Sequence, residues 1–298
     1  SGRKPERLCS PADSGKPELM TEDLVPLSDT EFNILTRMLF DRFGIHLGDQ
    51  KRVLLSGRLS KRVRETGCGN FSEYIDYLRT DPTGREQTEL INRITTNHSF
   101  FFREGEHFAY LKDNVFSRIE EAVSKRSPPA VRIWSAGCAT GEEVYTIAML
   151  MRSHFGNRID GLDIGLLATD ISVAALSQAK EGIYQESKLK ELPGEWKRQW
   201  FTKAGPDQFR ISDEIRGMVL FKKLNLMETP YPMKGSFDVI FCRNVMIYFN
   251  AQSREHVVNA MHKCLKPGGV FFVGHSESLN RETCPFEYVK PAIYKKGE

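Results

Sequence analysis

Two glycines followed by two glutamates end an apolar run at residues 131–143, VRIWSAGCATGEE. Gly137 and Gly141 have no Cβ atom, so the backbone there can turn tightly and approach a ligand closely. Glu142 and Glu143 would begin the following helix, and carboxylates at a helix N-terminus repel phosphate. No Lys-Ser or Lys-Thr pair follows, as a P-loop requires. A cofactor with hydroxyls and a positive centre, such as S-adenosylmethionine, therefore fits better than a pyrophosphate; an ordinary strand-to-helix turn is the alternative.

An acidic residue ends the next apolar strand candidate, residues 164–169. Asp170 stands roughly 20 to 30 residues after the glycine loop, where a strand-end carboxylate can accept hydrogen bonds from both ribose hydroxyls. A helix is predicted at residues 173–180, so the alternative role of Asp170 is that of a helix N-cap. Because the spacing and the strand end coincide, the sequence favours ribose binding.

Polar residues follow two later strand candidates of the same predicted sheet. Arg243 and Asn244 come directly after the buried run FDVIFC, residues 237–242, and Asn225 stands at the end of a short run that begins at Lys223. Ligands of open α/β sheets bind at the carboxyl ends of the strands. We therefore expect these side chains to lie beside the cofactor crevice.

The stretch NHSFFFRE, residues 97–104, fits neither a clean helix nor a clean strand. Its three phenylalanines favour core packing by default. However, Asn97, Ser99 and Arg103 surround them with polar groups that need partners. The stretch precedes a helix predicted for residues 105–122.

The helix predicted for residues 51–65 carries six basic residues before its first acid, Glu65. At about 100° per residue, Lys51, Arg58 and Arg62 fall within one narrow stripe. Like charges at i and i+4 destabilise an isolated helix, so the stripe requires an explanation outside this helix. A solvated face is one explanation. The other is a docking surface for an acidic partner, either a protein helix or a nucleic-acid backbone.

The predicted elements divide the chain into three parts. Residues 1–26 mix Pro, Gly, Ser and charge without periodicity and are expected to form a disordered leader. Residues 27–95 predict an all-helical domain that begins with a capping box at Ser28. Residues 96–298 alternate strands and helices, which predicts an α/β domain with a doubly wound, mostly parallel sheet.

Residues 182–222 interrupt this alternation. We expect them to form an inserted subdomain with a small antiparallel sheet, which would use strand candidates at residues 209–212 and 219–221. The turn KAGPDQF, residues 203–209, would connect its strands. A single last strand is expected at residues 288–294.

The composition indicates a soluble globular protein. Of the 298 residues, 40% are hydrophobic and 27% are charged, and the net charge is +3. So small a net charge gives no global attraction to nucleic acid, and no apolar run reaches the roughly 18–20 residues needed to span a bilayer. The six cysteines are scattered without a CxxC or Cys/His pairing, so we expect neither a disulfide framework nor a metal site. A reducing cytoplasm is the expected location.

Four motifs, taken in order, resemble one enzyme family. The motifs TTNHSFFFRE, WSAGCATGEEVY, FCRNVMIYF and GHSES, behind a helical domain with a basic helix, resemble the chemotaxis receptor methyltransferases of the CheR family, which belong to the class I S-adenosylmethionine-dependent methyltransferases. The resemblance implies S-adenosylmethionine as the cofactor. It also implies methyl esterification of glutamate side chains on the cytoplasmic helices of chemoreceptors. We expect a cytoplasmic monomer that binds neither nucleic acid nor a membrane.

The resemblance also implies roles for individual residues. Arg103 and Tyr248 would be catalytic: Arg103 would guide the substrate carboxylate, and Tyr248 would lie near the transferred methyl group. The expected cofactor contacts are Asn97, Ser99, Arg103, Gly137, Glu143, Asp170, Asn225, Leu226, Arg243 and Asn244. Ser99 stands where the family frequently has threonine, and the hydroxyl is kept. The expected docking residues for the acidic receptor helices are Lys51, Arg58 and Arg62.

The inserted subdomain divides the family. Some members use it to bind a short tether at the receptor's C-terminus, and these carry a longer glycine-bearing loop between its strands. The turn at residues 203–209 is short, so we expect a member that does not need the tether.

Two other classes of protein remain as alternatives. The first is a methyltransferase that acts on nucleic acid or on a small molecule. The sequence FCRN stands where amino methyltransferases carry an Asn-Pro-Pro-Tyr type motif, which argues against it. The second is a non-catalytic sensor that binds S-adenosylmethionine, and the presence of Arg103 and Tyr248 argues against that class.

Overall fold

The computed structural model describes residues 24–95, 97–125, 130–233 and 235–298. The predicted leader therefore lies outside the described residues except for its last three positions. The main-chain N–H of Val25 donates to Ser60 Oγ at 2.9 Å, and the Val25 carbonyl accepts from Ser56 Oγ at 2.8 Å. Both serines belong to the second helix, so the chain already packs on the helical domain before residue 27.

The helical domain is built from α1 (Asp29–Phe43), α2 (Arg52–Glu65), α3 (Phe71–Thr80) and α4 (Arg85–Ile94). The predicted capping box is present: Ser28 Oγ accepts from the Glu31 N–H at 3.3 Å, and the Glu31 carboxylate accepts from the Ser28 N–H at 2.9 Å. Gly44 ends α1 in the left-handed conformation, with φ 68°. The apolar stripes of these helices form one buried cluster of their own.

The helix predicted for residues 105–122 is divided into three pieces. These are α5 (Gly105–Tyr110), a π-helix at Leu111–Phe116, and α6 (Ser117–Val123). The wider π-helical segment buries three apolar side chains, Leu111, Val115 and Phe116. Regular helical spacing would not bring all three to one narrow face, and periodicity alone does not reveal the widened segment.

Ten strands are described in the second domain. They are β1 (Ala130–Ala136), β2 (Asp163–Asp170), β3 (Ile183–Gln185), β4 (Phe201–Gly205), β5 (Gln208–Ile211), β6 (Val219–Lys223), β7 (Phe237–Cys242), β8 (Leu265–Val273), β9 (Glu287–Lys290) and β10 (Ile293–Lys295). Seven form the main sheet in the order β6-β2-β1-β7-β8-β10-β9. Neighbouring strands from β6 to β8 pair in parallel, and β10 and β9 are added antiparallel. The predicted doubly wound sheet is confirmed, but the expected last strand is a hairpin of two.

Helices cover both faces of this sheet. The helices of this domain that follow β1 are α7 (Glu142–Phe155), α8 (Val173–Glu181), α9 (Gly194–Trp200), which packs on β4 of the small sheet, α10 (Asp213–Gly217) and α11 (Ala251–Cys264). Alternate residues of a strand point to opposite faces, and on β1 Ile133 joins one buried cluster with α7 and α8 while Trp134 joins the cluster of α11. The sheet is therefore buried on both sides.

The inserted antiparallel sheet is present, but only one of its two predicted strands, residues 209–212, belongs to it, as β5; β3 and β4 were not predicted. This sheet has the order β3-β5-β4. Residues 219–221, which were expected in this sheet, begin β6 and pair in parallel with β2 at the edge of the main sheet. Phe221 is buried there while Leu220 is 56% exposed, as an edge strand with one covered face requires. A short alternating run does not itself identify its partner strand.

The strand order reverses between β1 and β7. The chain proceeds from β1 to β2 on one side and returns to β7 on the other. In doubly wound sheets, ligands bind at the carboxyl ends of the strands at this point. Within the described ranges, no helix is long and apolar enough to cross a membrane.

Candidate active site

A cavity lies at the carboxyl ends of β1, β2 and β7, and both domains form its wall. The helical domain contributes Phe43, Ile45 and Thr95. The lining also includes the expected cofactor and catalytic residues: Asn97, Ser99, Arg103, Gly137, Glu143, Asp170, Asn225, Leu226, Arg243, Asn244 and Tyr248. The fold therefore brings together residues that are spread over more than half of the chain. The expected docking residues Lys51, Arg58 and Arg62 do not line this cavity.

The glycine loop is pressed against the segment that follows β7. Gly137 has φ 78°, and its N–H donates to the Thr169 carbonyl at 2.7 Å. A Cβ atom at Gly137 would lie 2.2 Å from Val245 Cγ2, which is far inside van der Waals contact. This glycine is thus required by packing as well as by the left-handed backbone.

Asp170 ties the glycine loop to the end of β2. Its Oδ2 accepts from the Ala139 N–H at 2.8 Å, and its Oδ1 accepts from the Ser172 N–H at 2.8 Å. Burial raises the pKa of Asp170, and these N–H groups oppose the rise. The N-cap of α8 is Ser172, whose Oγ accepts from the Ala175 N–H at 3.1 Å. The alternative role of Asp170 as the N-cap is therefore wrong.

The two adjacent glutamates at the start of α7 face different surroundings. Glu143 lines the cavity and accepts from Ser135 Oγ at 2.7 Å. Glu142 is fully buried away from the cavity, where it bonds with Thr140 Oγ1 and forms an ion pair with Lys188. The geometry supports Glu143, and not Glu142, as the residue that can reach a cofactor.

Arg243 bridges two carboxylates at the wall of the cavity. Its guanidinium lies 3.0 Å from Glu143 Oε2 and 3.0 Å from Glu104 Oε2, and its side chain is 2% exposed. Burial acts to raise the pKa of Glu104, but Arg243, with smaller contributions from Asn244 and His275, holds the pKa below the usual range. For Glu143 burial dominates, and its pKa is raised in spite of Arg243. One buried cation thus compensates two partly buried acids.

The sequence analysis assigned no role to Glu104, although it is the last residue of the TTNHSFFFRE motif. Glu104 adopts a left-handed backbone with φ 58°. Besides Arg243, its carboxylate accepts from Asn244 Nδ2 at 3.3 Å and from the His275 N–H at 3.3 Å. The only sequence signal for this partly buried acid, which accepts hydrogen bonds from three later positions, is its place in the motif.

The sequence predicts no metal site, but one group of ligand types occurs among the described residues. Glu104, His107 and His275 bring potential ligand atoms within 4.8 Å of one another. Burial, followed by the charge of Arg243, lowers the pKa of His107 to about 3. Because Arg243 already occupies the Glu104 carboxylate, its positive charge opposes a metal cation there.

The cavity residues fit S-adenosylmethionine. Asp170 is a strand-end acceptor for ribose hydroxyls, Leu226 and Ile171 offer apolar surface for a base, and Glu143 supplies a negative charge for a positively charged ligand. A doubly wound sheet with this glycine loop, this strand-end aspartate and an inserted antiparallel sheet defines a class I S-adenosylmethionine-dependent methyltransferase.

Comparisons with known proteins narrow this class to one family. Residues 97–294 match the family model of the CheR methyltransferase S-adenosylmethionine-binding domain, and residues 30–95 match the CheR methyltransferase all-alpha domain. The chain therefore belongs to the CheR methyltransferase family, and S-adenosylmethionine is its cofactor.

Curated relatives agree with this assignment over nearly the whole chain. A chemotaxis protein methyltransferase of Borreliella burgdorferi is 38% identical over 273 residues, which cover 92% of this chain and 96% of the relative. A chemotaxis protein methyltransferase of Escherichia coli is 36% identical over 264 residues, which cover 88% of each chain. A chemotaxis protein methyltransferase of Klebsiella aerogenes is 34% identical over 285 residues, which cover 95% of this chain and 94% of the relative.

Replacing Asp170 with asparagine is expected to weaken cofactor binding by about 10- to 100-fold, because hydrogen bonds to a charged acceptor contribute about 1.5–3 kcal/mol. Calorimetric titration with S-adenosylhomocysteine measures the change. Asp163→Asn is the matched control, since Asp163 begins the same strand and forms an exposed pair with Arg132. A dissociation constant for Asp170→Asn within twofold of the control would contradict the ribose assignment.

Proposed function

We propose that this methyltransferase transfers the methyl group of S-adenosylmethionine to glutamate side chains on the cytoplasmic helices of chemoreceptors, in the cytoplasm, and so forms glutamyl methyl esters. The observation that carries the proposal is the position of Arg103: within a CheR-family fold, this arginine lines the cofactor cavity together with Tyr248. The names of the curated relatives, which are chemotaxis protein methyltransferases, support the same assignment.

The chemistry requires little from the protein besides positioning. A glutamate side chain has a pKa near 4.3 and is ionised at neutral pH, so no general base is needed to form the nucleophile. When bound, S-adenosylmethionine supplies an electrophilic methyl group on a positively charged sulfur. The cavity residues then have to orient the carboxylate in line with this methyl group and exclude water, and orientation alone can contribute several kcal/mol.

Arg103 suits the task of orienting the carboxylate. Its guanidinium donates to the His98 carbonyl at 3.0 Å. Arg103 forms no ion pair with a carboxylate in the part of the chain that the structure describes. A guanidinium holds a carboxylate through two parallel hydrogen bonds. Because the His98 carbonyl already engages one N–H group, Arg103 would orient the substrate without fully neutralising it, which leaves the carboxylate nucleophilic.

The basic stripe of α2 is partly satisfied inside the helical domain. Arg62 Nε donates to Glu86 Oε1 at 2.9 Å, and Glu86 is 2% exposed. At Arg62, an ion pair within the helical domain therefore compensates the positive charge. The sequence analysis did not predict this pair because Glu86 belongs to a different helix, α4. Arg58 donates to the Ile94 carbonyl, next to Thr95 in the cavity wall, and Lys51 is exposed. The proposed docking of acidic receptor helices accordingly rests mainly on Lys51 and Arg58.

Lys51→Glu is expected to raise KM for a receptor cytoplasmic fragment several-fold and to leave cofactor affinity unchanged, because it reverses a charge on the docking surface. The effect should shrink with added salt, since exposed charges are screened within about 10 Å at 0.1 M ionic strength. Initial rates at varied fragment and salt concentrations measure it. Lys263→Glu, at an exposed position of α11, is the control; equal changes in both variants would remove the docking role.

Only two residues, Pro206 and Asp207, separate β4 from β5. This short hairpin supports the expectation that the enzyme does not need a receptor-tail tether. Calorimetry with a receptor C-terminal peptide tests this point, and micromolar binding would contradict it.

The substrate itself is tested by incubating the protein with labelled S-adenosylmethionine and a receptor cytoplasmic fragment. We expect base-labile label that is released as methanol, which marks a carboxyl methyl ester. Base-stable label would indicate a different acceptor. Cofactor binding without any transfer would indicate the non-catalytic class.

A further inference from the structure

Glu277 is a buried carboxylate that the proposed chemistry does not use. It belongs to the GHSES motif, is 2% exposed, and is not among the residues that line the cofactor cavity. Burying an ionised carboxylate is costly unless hydrogen bonds compensate it. The partners of Glu277 therefore indicate what it does.

Three main-chain N–H groups donate to this carboxylate. Glu277 Oε2 accepts from Gly274 at 2.7 Å and from Asn244 at 2.7 Å, and Oε1 accepts from Ile247 at 3.1 Å. Burial raises the pKa of Glu277, and the N–H groups act against the rise. The Glu277 carboxylate thus links the loop after β8 to the loop after β7, which it binds at Asn244 and Ile247.

The loop after β7 has a backbone that needs such support. Asn244 has φ 60°, a left-handed conformation that asparagine adopts more readily than most residues other than glycine but that is still sparsely populated. Gly274 packs directly on it: an added Cβ atom would lie 2.9 Å from Asn244 N and 2.8 Å from Glu277 Oε2. Sparsely populated backbone conformations persist where contacts with the surrounding structure hold them in place, and they occur often at active sites.

The same loop carries five residues of the cavity wall. Arg243, Asn244 and Val245 stand at its start, and Tyr248 and Phe249 stand at its end. The Tyr248 carbonyl also accepts from the His46 N–H at 2.8 Å, which joins the loop to the helical domain. Glu277 binds Asn244 itself and Ile247, the neighbour of Tyr248. It therefore fixes the spacing between the cofactor side and the proposed methyl-transfer side of the loop.

We propose that Glu277 is a positioning residue, which holds Asn244 and Tyr248 at the separation that methyl transfer requires by binding the main chain of the loop between them. This inference rests on the proposed function, because it assumes that Tyr248 acts beside the transferred methyl group. The residue acts through the loop and touches neither cofactor nor substrate.

The test is Glu277→Gln, which keeps the shape of the side chain. In either orientation of the amide, at least one of the three N–H groups loses its acceptor. We expect the single-turnover rate constant at saturating cofactor to fall about 10- to 100-fold, as displacements near 1 Å do in active sites. In a Tyr248→Phe background, the same substitution should lower the single-turnover rate constant by a much smaller factor, because both changes act on one step.

Glu86→Gln is the matched control. Glu86 is equally buried, at 2% exposure, and binds Arg62 and Tyr74 in the helical domain. Its substitution should destabilise the fold and leave the rate constant of the folded enzyme unchanged. Equal rate losses in both variants, a rate for Glu277→Gln within twofold of the native enzyme, or full additivity with Tyr248→Phe would each overturn the proposal.

A second readout separates this proposal from the proposed function. Amide hydrogen exchange at Asn244 and Ile247 should accelerate in Glu277→Gln, whether or not glutamate is the substrate; unchanged protection would overturn the role of Glu277. Absence of methyl ester with the native enzyme would instead overturn the proposed function alone. If Glu277→Gln does not fold, Gly274→Ala serves the same comparison, because its Cβ atom would press on Asn244 N.

Discussion

Replacing Arg243 with methionine is expected to lower the free energy of unfolding by about 3–5 kcal/mol, the usual cost of removing one partner from a buried ion pair. The substitution leaves Glu104 and Glu143 facing each other in a buried site without their shared cation. Denaturant unfolding at neutral pH measures the loss. Arg37→Met is the control: Arg37 is 79% exposed and pairs with Asp41, so its loss should cost at most about 1 kcal/mol.

The deficit of Arg243→Met should depend on pH. In the native protein, Arg243 holds the pKa of Glu104 below its usual range, so this carboxylate contributes stability above its unfolded pKa of about 4.3 and loses that contribution as pH falls through the folded pKa. In the variant, protonation of the two acids removes the repulsion between their carboxylates. Loss of the cation raises the pKa of both acids, so the difference between the proteins is largest at neutral pH, begins to shrink as pH falls through these raised pKa values, and is lost below the lowered pKa of Glu104 in the native protein. A deficit that stays constant would show that lost packing, and not lost charge pairing, is responsible.

Replacing Arg103 with alanine is expected to lower the single-turnover rate constant about 100-fold at saturating cofactor, because the proposed glutamate substrate would lose the partner proposed to orient its carboxylate. Arg103→Lys should recover only a small part of this loss, since an ammonium keeps the charge but lacks the planar fork that binds both carboxylate oxygens. Rapid-quench measurement of ester formation follows the step directly.

Tyr248→Phe provides the comparison within the same cavity and should have the smaller effect, because the ring is kept and only the hydroxyl is lost. Near-native rates for both variants with saturating cofactor would remove these residues from the mechanism. A loss in Arg103→Ala that disappears at higher cofactor concentration would assign Arg103 to cofactor binding alone.

Residues with a local signature were predictable from the sequence. Gly137 and Asp170 are marked by a glycine turn and by a strand end, and strands of a parallel sheet bring such positions to one edge. The capping box at Ser28 is likewise a pattern of adjacent residues. In these cases the physical cause lies within a few positions of the chain, and the structure places the residues accordingly.

Features that depend on distant partners were not predictable. The acid that compensates Arg62 is Glu86 on another helix. The partner strand of residues 219–221 is β2, and its identity depends on which sheet edge is open after folding. Glu104 and Glu277 had no assigned role because most of the groups that bind their carboxylates lie 30 or more positions away in the chain; Gly274, which binds Glu277, is the exception. No periodicity or spacing rule encodes such contacts.

The wall of the cofactor cavity is shared between the domains, with Phe43 and Ile45 on one side and Gly137 and Asp170 on the other. A ligand that binds only the native assembly stabilises it by mass action, by about 2.7 kcal/mol at a concentration 100 times its dissociation constant. Because both domains form the site, this free energy is available only while they remain docked. A higher concentration of methyl donor therefore stabilises the docked arrangement of the two domains, one of which is proposed to meet the substrate while the other binds the donor.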